Sequence, residues 1–249
     1  MSTLTAPFTA DLSDRFTFGN QRGPESIQGV CVHTTENSDV AYATGVAEYQ
    51  ILTQSGSYHV IVDSHGQIVR CNTDDWVTWS SGNKGNNVLL HIAVVGHAAW
   101  SRAEWLRHDI ALAAVAKYLA YWSRRHGIPL VKITPDQLKA GVRGVVGHVD
   151  TGRAWGGTDH TDPGPDFPYG DVLAMAHAFK VGGVVGKPAP TSKDKDMTPE
   201  QARQLREVWD QLCGPQGKGW PQLGGKTLVD SLVDAHRKLD TIITHLDNA

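Results

Sequence analysis

The chain has 249 residues, three cysteines, twelve histidines and a formal net charge of −3 at pH 7. That length accommodates one sizeable domain and a small second one, and the near-neutral balance gives no electrostatic case for a nucleic acid or a membrane surface as partner. No run approaches the ~20 apolar residues of a membrane span, and the first residues lack the basic segment and apolar core of a secretory signal.

Residues 28–32 are a short apolar run ending at His33, which suits a buried strand that delivers a side chain at its C-terminal end. Residues 40–54 read as a helix with Val46, Tyr49 and Leu52 on its apolar face. Residues 57–71 read as a hairpin around the turn Asp63-Ser64-His65-Gly66. The polar stretch 80–87 reads as a loop, and the apolar run 88–95 as a central strand. A single long helix is expected from a Ser101 cap, with Glu104 closing a capping box, to Arg124, Arg125 and His126 before Gly127. Thr134-Pro135 opens a short helix, and residues 144–147 form a strand that delivers His148.

The character changes at residue 181. Gly, Pro, Ser and Lys dominate residues 181–197, which read as a linker between a domain over 1–180 and a helical region over 198–249. The first tail helix opens with the capping box Thr198-Pro199-Glu200-Gln201. The second carries Leu228, Leu232, Ala235, Leu239, Ile242 and Leu246, the alternating four-three spacing of a coiled coil. A helical hairpin folding on itself and self-association into a homo-oligomer both fit that spacing. The cysteines, Cys31, Cys71 and Cys213, are too scattered for a disulfide framework or a Cys-rich zinc knuckle, and point to folding in a reducing cytoplasm.

Two distant segments carry related chemistry: Val32-His33-Thr34-Thr35-Glu36, and Gly147-His148-Val149-Asp150 followed by His160-Thr161-Asp162-Pro163-Gly164-Pro165. His33, His148 and Asp162 together make the three-ligand set of an open, catalytic zinc site. His33 and His148 each end an apolar strand, and Asp162 sits in a loop stiffened by prolines. A lone histidine is usually a satisfied polar residue, so His59, His65, His91, His97 and His108 receive no metal role from the sequence.

These segments, with Ser57-Tyr58-His59-Val60-Ile61 and residues 88–96, resemble the zinc N-acetylmuramoyl-L-alanine amidases that share a fold with peptidoglycan recognition proteins, a family that includes many phage endolysins. The pieces occur in the family's order from about residue 28 to residue 178. The resemblance implies an α/β fold, a central mixed β-sheet flanked by helices, with the helical C-terminal segment added. It implies Zn2+ held by His33, His148 and Asp162, and peptidoglycan as substrate, cut between N-acetylmuramic acid and L-alanine. Tyr58 matches a tyrosine implicated in catalysis. His160 stands where many members carry an oxyanion-stabilising lysine; an imidazole can donate the same hydrogen bond, with a charge that depends on pH near neutrality. Where some members carry a carboxylate as general base, the aligned residue is Ala93; Glu36 is the candidate to supply it, and orienting a ligand or facing solvent are its other readings. Trp76, Trp79, Asn83, Asn86 and Asn87 suit one wall of a glycan or peptide groove, and Trp155-Gly156-Gly157 another.

The segment from Val208 to Gly225 resembles C-terminal pieces of endolysins from phages of actinobacteria. Its heptad favours assembly and Trp220 favours cell-wall binding. The expected setting is the host cytoplasm until lysis and the cell wall afterwards. The rivals are a recognition module that binds peptidoglycan without cutting it, a structural zinc domain for protein binding, and a bacterial recycling amidase.

Overall fold

The computed structural model describes residues 5–180, residues 221–224 and the single positions Ser231 and Lys238. The chain divides into two compact units, Met1–Gly186 and Lys187–Ala249. The linker and the tail helices read from the sequence lie outside the described residues, apart from a short 3-10 turn at Pro221–Leu223 and the two single positions, which are helical.

The first unit is built on a six-stranded mixed sheet. In chain order its strands are β1 (Ala10–Asp11), β3 (Gly29–Thr34), β4 (Val60–Val62), β5 (Ile68–Arg70), β7 (Leu89–Val94) and β8 (Gly144–Gly147); β2 (Asn20–Gln21) and β6 (Trp76–Val77) form a separate antiparallel pair. The sheet order is β1-β5-β4-β7-β3-β8. The four strands β4, β7, β3 and β8 are parallel, and β5 and β1 run against them. Helices are α1 (Ala43–Thr53), α2 (Gly85–Val88), α3 (Arg102–Trp105), α4 (Asp109–His126), α5 (Pro135–Lys139), α6 (His148–Trp155) and α7 (Tyr169–Lys180).

β3 and β7 are buried along their whole length, which is why they read as unbroken apolar runs. Alternate residues go to opposite faces. Val30, Val32, Leu90, Ile92, Val94 and Val145 join α4 and α7 in the largest core. The other face carries Cys31, Leu89 and Val146 in one cluster and Ile61, Ala93 and Val95 in another. His33 and His91 share the parity of Cys31 and Ala93, so the α4 face is closed with hydrocarbon and the polar chemistry is confined to the opposite face. β3, β7 and β8 end at the same edge, the position where open parallel sheets place ligands.

Three readings are corrected. The helix expected from Ser101 onward is two helices: Ser101 caps only α3, accepting from the Glu104 N–H, and α4 starts afresh at Asp109. The break lets the fully buried Trp105 pack edge-on between Trp100 and Phe167, with ring centroids 4.9 Å from each. In α1 the buried residues are Ala43, Ala47 and Gln50, while Tyr49 and Leu52 are 61% and 80% exposed. Small residues let that helix lie close on the sheet, which leaves the large ones outside. The polar stretch 80–87 is not all loop, since α2 begins at Gly85. The chain passes directly from β8 into α6, whose first residue is His148.

Candidate metal centre and cleft

Three elements bring the site together. β3 delivers His33, the start of α6 delivers His148, and the loop after α6 delivers Asp162, all three buried. His33 Nδ1 lies 3.1 Å from Asp162 Oδ2, and His148 Nδ1 lies 3.0 Å from Asp162 Oδ1. The two imidazoles meet edge-on with centroids 4.7 Å apart. Two backbone contacts hold Asp162: the Thr34 N–H donates to Oδ2 at 3.3 Å, and the Asp162 carbonyl accepts from the Val149 N–H at 3.1 Å. The loop then turns through Gly164, where φ is 91° and a Cβ would fall 1.9 Å from the Ala98 carbonyl oxygen, so only glycine fits. Asp150 Oδ2 accepts from Lys132 Nζ at 2.7 Å and from the Gly147 N–H at 2.8 Å, pinning the entry of α6 just ahead of His148.

The far edges of both rings decide what the near edges can do. His148 Nε2 is 3.3 Å from the Ser81 carbonyl oxygen, which can only accept, and 3.2 Å from the Thr158 hydroxyl, which can donate or accept. His33 Nε2 faces His91 Nδ1 at 2.9 Å. Facing an ionised carboxylate, each Nδ1 is a hydrogen-bond donor while the pocket holds no cation, and becomes a ligating lone pair when a cation takes that place and the proton sits on Nε2. Burial pushes His33 below its ordinary value. Burial alone would raise the Asp162 carboxyl, yet the hydrogen bonds and charge of His148 and His33 outweigh it and hold the group well below the usual carboxylate range. Two imidazole nitrogens and an ionised carboxylate converge in a buried pocket. That donor set, two nitrogens and one oxygen with a side left open, suits zinc.

The open side meets two clefts that share Trp79, Ser80 and His160. The larger, of about 660 Å³, is also walled by Tyr42, Tyr49 and Tyr58. The smaller, of about 320 Å³, reaches His148, Asn86 and Gly157. His160 stacks on His148 at 4.6 Å, and its Nδ1 is 3.5 Å from Asp162 Oδ1. The Tyr58 ring lies 5.1 Å from that of His33, and burial pushes its hydroxyl well above the usual range, so it is a donor at neutral pH.

Glu36 is placed differently. Its Oε1 accepts from the Thr34 hydroxyl at 2.5 Å and the Ala98 N–H at 3.0 Å, and its Oε2 is 3.6 Å from His97 Nδ1. It lines neither cleft. Of the residues expected on the groove walls, Trp79, Asn86 and Gly157 line it. Trp76 instead donates from Nε1 to the Phe18 carbonyl, and Asn83 ties the loop to Gly156 and Thr151. Trp155 packs into the small core beside α5, under Lys84. Sequence reasoning missed Tyr42 and Tyr49 as cleft residues, because an apolar periodicity cannot say which helical face meets a cleft. It also passed over His91, whose only sequence signal is a polar residue inside a buried strand.

The α/β sheet carries, at the C-terminal edge of its parallel strands, a two-histidine, one-carboxylate donor set of a kind that can hold a metal ion. The chain belongs to the N-acetylmuramoyl-L-alanine amidase family, whose pattern it matches over residues 23–165. Residues 197–242 match a second family, the Rv3766 C-terminal domain. There the chain is 51% identical over 39 residues to the uncharacterized protein Rv3766 of Mycobacterium tuberculosis, a match covering 16% of this chain and 14% of that protein. In fold it is similar to the Staphylococcus aureus hydrolase AmiA, solved with its ligand, at a TM-score of 0.55 and 22% identity over 73% of this chain and 88% of that one. The Clostridium intestinale endolysin LysCS, an N-acetylmuramoyl-L-alanine amidase, superposes with a TM-score of 0.49 and 15% identity over 70% of this chain and 97% of its own.

Proposed function

We propose that the chain is a zinc-dependent peptidoglycan amidase that cuts the amide between N-acetylmuramic acid and L-alanine, and that it serves as an endolysin. The observation that carries this reading is the convergence of two histidine Nδ1 atoms and the Asp162 carboxylate beside an aromatic-walled cleft. His33, His148 and Asp162 would hold the metal. Zinc, when held there, supplies Lewis-acid polarisation of an amide carbonyl and a nucleophilic water at neutral pH.

The rest falls to the chain's own side chains. Tyr58, kept protonated by burial, donates to the oxyanion as the carbonyl carbon becomes tetrahedral. His160 is exposed at the junction of the two clefts, close enough to Asp162 to be steered by it, and carries the proton to the departing amine. Glu36 braces the turn after β3 and so keeps His33 in place. Tyr42, Tyr49 and Trp79 offer flat faces to sugar rings and peptide.

The same proposal divides the chain into a catalytic domain over 1–180, a linker over 181–197 and a C-terminal region over 198–249 that binds cell wall or assembles a homo-oligomer. It places the protein in a host cytoplasm until lysis and at the cell wall afterwards. Mass analysis of peptidoglycan digests tests the reaction. Free stem peptides with an L-alanine N-terminus, lost on chelation, are the expected result; wall binding with no cleavage would mean a recognition module instead.

A further inference from the structure

The far edges of the two histidines are not held alike. His148 reaches a carbonyl directly, at Ser81, whereas His33 reaches one through a second imidazole. His91 Nδ1 is 2.9 Å from His33 Nε2, and His91 Nε2 is 3.1 Å from the Gly85 carbonyl oxygen. The carbonyl at the end of this chain sets its polarity. With a cation held between His33 Nδ1 and Asp162, that carbonyl, which can only accept, puts the His91 proton on Nε2, and His91 Nδ1 then accepts from the His33 Nε2–H.

His91 cannot turn away from that task. It is fully buried, its backbone N–H donates to His59 Nδ1 at 3.0 Å, and its ring lies nearly parallel to that of His59 at 5.8 Å and 11°. His59 in turn faces the Trp76 carbonyl oxygen through Nε2 at 3.0 Å, which fixes its proton there. The loop before β7 provides both terminal acceptors, Ser81 for one histidine and Gly85 for the other. Asn86 Oδ1 ties that loop, accepting from the Ser80 and Ser81 N–H groups at 3.0 and 2.6 Å.

We propose that His91 is a positioning residue that locks His33 in the Nε2–H tautomer and thereby sets the zinc affinity of the site. The inference rests on the zinc reading above. An outer partner of this kind contributes roughly 10–100-fold in metal affinity when it orients a ligand. Cys31 lies in the same cluster, with its sulfur within 4.8 Å of the facing donor atoms of His33 and His91, so a second metal at that place is the competing arrangement.

The test compares zinc affinity, measured by competition with a chromophoric chelator, in the full chain and in two variants. His91→Phe keeps the ring and removes the acceptor; His91→Asn puts Oδ1 where Nδ1 was. The expected result is a loss of about 10–100-fold in the Phe variant and rescue to near wild-type affinity in the Asn variant. Nitrogen-15 spectra of the zinc-loaded wild type, which need no variant to fold, should show His33 protonated on Nε2. A His33 protonated on Nδ1, a folded Phe variant with wild-type affinity, or two zinc ions per chain would overturn the proposal and leave the amidase reading standing. A wild-type protein that binds no zinc would overturn both.

Discussion

Gly147→Ala tests the site through its frame and not its ligands. Gly147 ends β8 immediately before His148, and an added Cβ would lie 2.7 Å from the Tyr169 hydroxyl oxygen, 2.8 Å from Pro163 Cδ and 3.4 Å from the Asp162 carbonyl oxygen. Carbon atoms in contact prefer about 3.5–4.0 Å, so something must move by roughly 1 Å. Neither close neighbour yields easily, since the Tyr169 hydroxyl is buried under its partly buried ring and Pro163 follows Asp162 directly. The displacement therefore falls on the gap between His148 and Asp162, whose facing atoms are 3.0 Å apart. Overpacking of this kind costs about 1–3 kcal/mol, or roughly 2–4 °C of melting temperature per kcal/mol at this size. A misplacement of about 1 Å in a catalytic frame costs on the order of 100-fold in rate. The assay pairs a thermal melt with release of reducing-free stem peptide from purified cell wall, at saturating zinc. A variant that melts a few degrees lower but cleaves at the wild-type rate would refute the claim that strand β8 and the Asp162 loop hold the ligands in register.

Other expectations follow from the same contacts. Tyr58→Phe and His160→Ala should each slow cleavage by roughly 100- to 1000-fold with zinc content unchanged, as loss of an oxyanion donor or proton carrier requires; unchanged rates would remove those roles. Glu36→Gln preserves an acceptor for Thr34 and Ala98, so turnover near wild type is expected, and a large loss in the variant would make Glu36 the base instead. Asp150→Asn weakens two charge-assisted contacts at the start of α6 and should cost about 1.5–3 kcal/mol, read as a lower melting temperature. Stability should also depend on pH through His59, whose ordinary value of about 6.5 is pushed down to about 3 by burial and by the charge of Arg22. Because the unfolded chain takes up the proton first, the stabilisation is complete above pH ~6.5 and is lost as pH falls from there toward ~3. Melting temperatures between pH 4 and 8 should show that decline, and His59→Asn should flatten it.

The sheet and the meeting of His33, His148 and Asp162 were legible because both depend on local signals. Buried parallel strands are apolar throughout, so residues 28–32, 88–95 and 144–147 stood out, and His33 and His148 marked where two of them stop. Loop stiffness at Pro163 and Pro165 marked Asp162. What stayed hidden depends on partners far along the chain. Nothing local says that Trp105 inserts between Trp100 and Phe167, so the helix break after it could not be seen. The α1 face was misjudged because Ala43 and Ala47, not the larger residues, fit against the sheet. His91 looked like any polar residue in a strand until β7 paired with β3, with His91 opposite Cys31, and put its ring against His33.

The central claim is that this chain breaks a specific amide using the His33, His148 and Asp162 set. Mass analysis of purified peptidoglycan digested by the wild type, by the chelated wild type and by His148→Ala tests it most directly. The account predicts intact lactyl-bearing glycan and free L-alanine-terminated stem peptides from the wild type alone. Glycan cleavage, peptide cross-bridge cleavage, or the same stem peptides released by His148→Ala would contradict it.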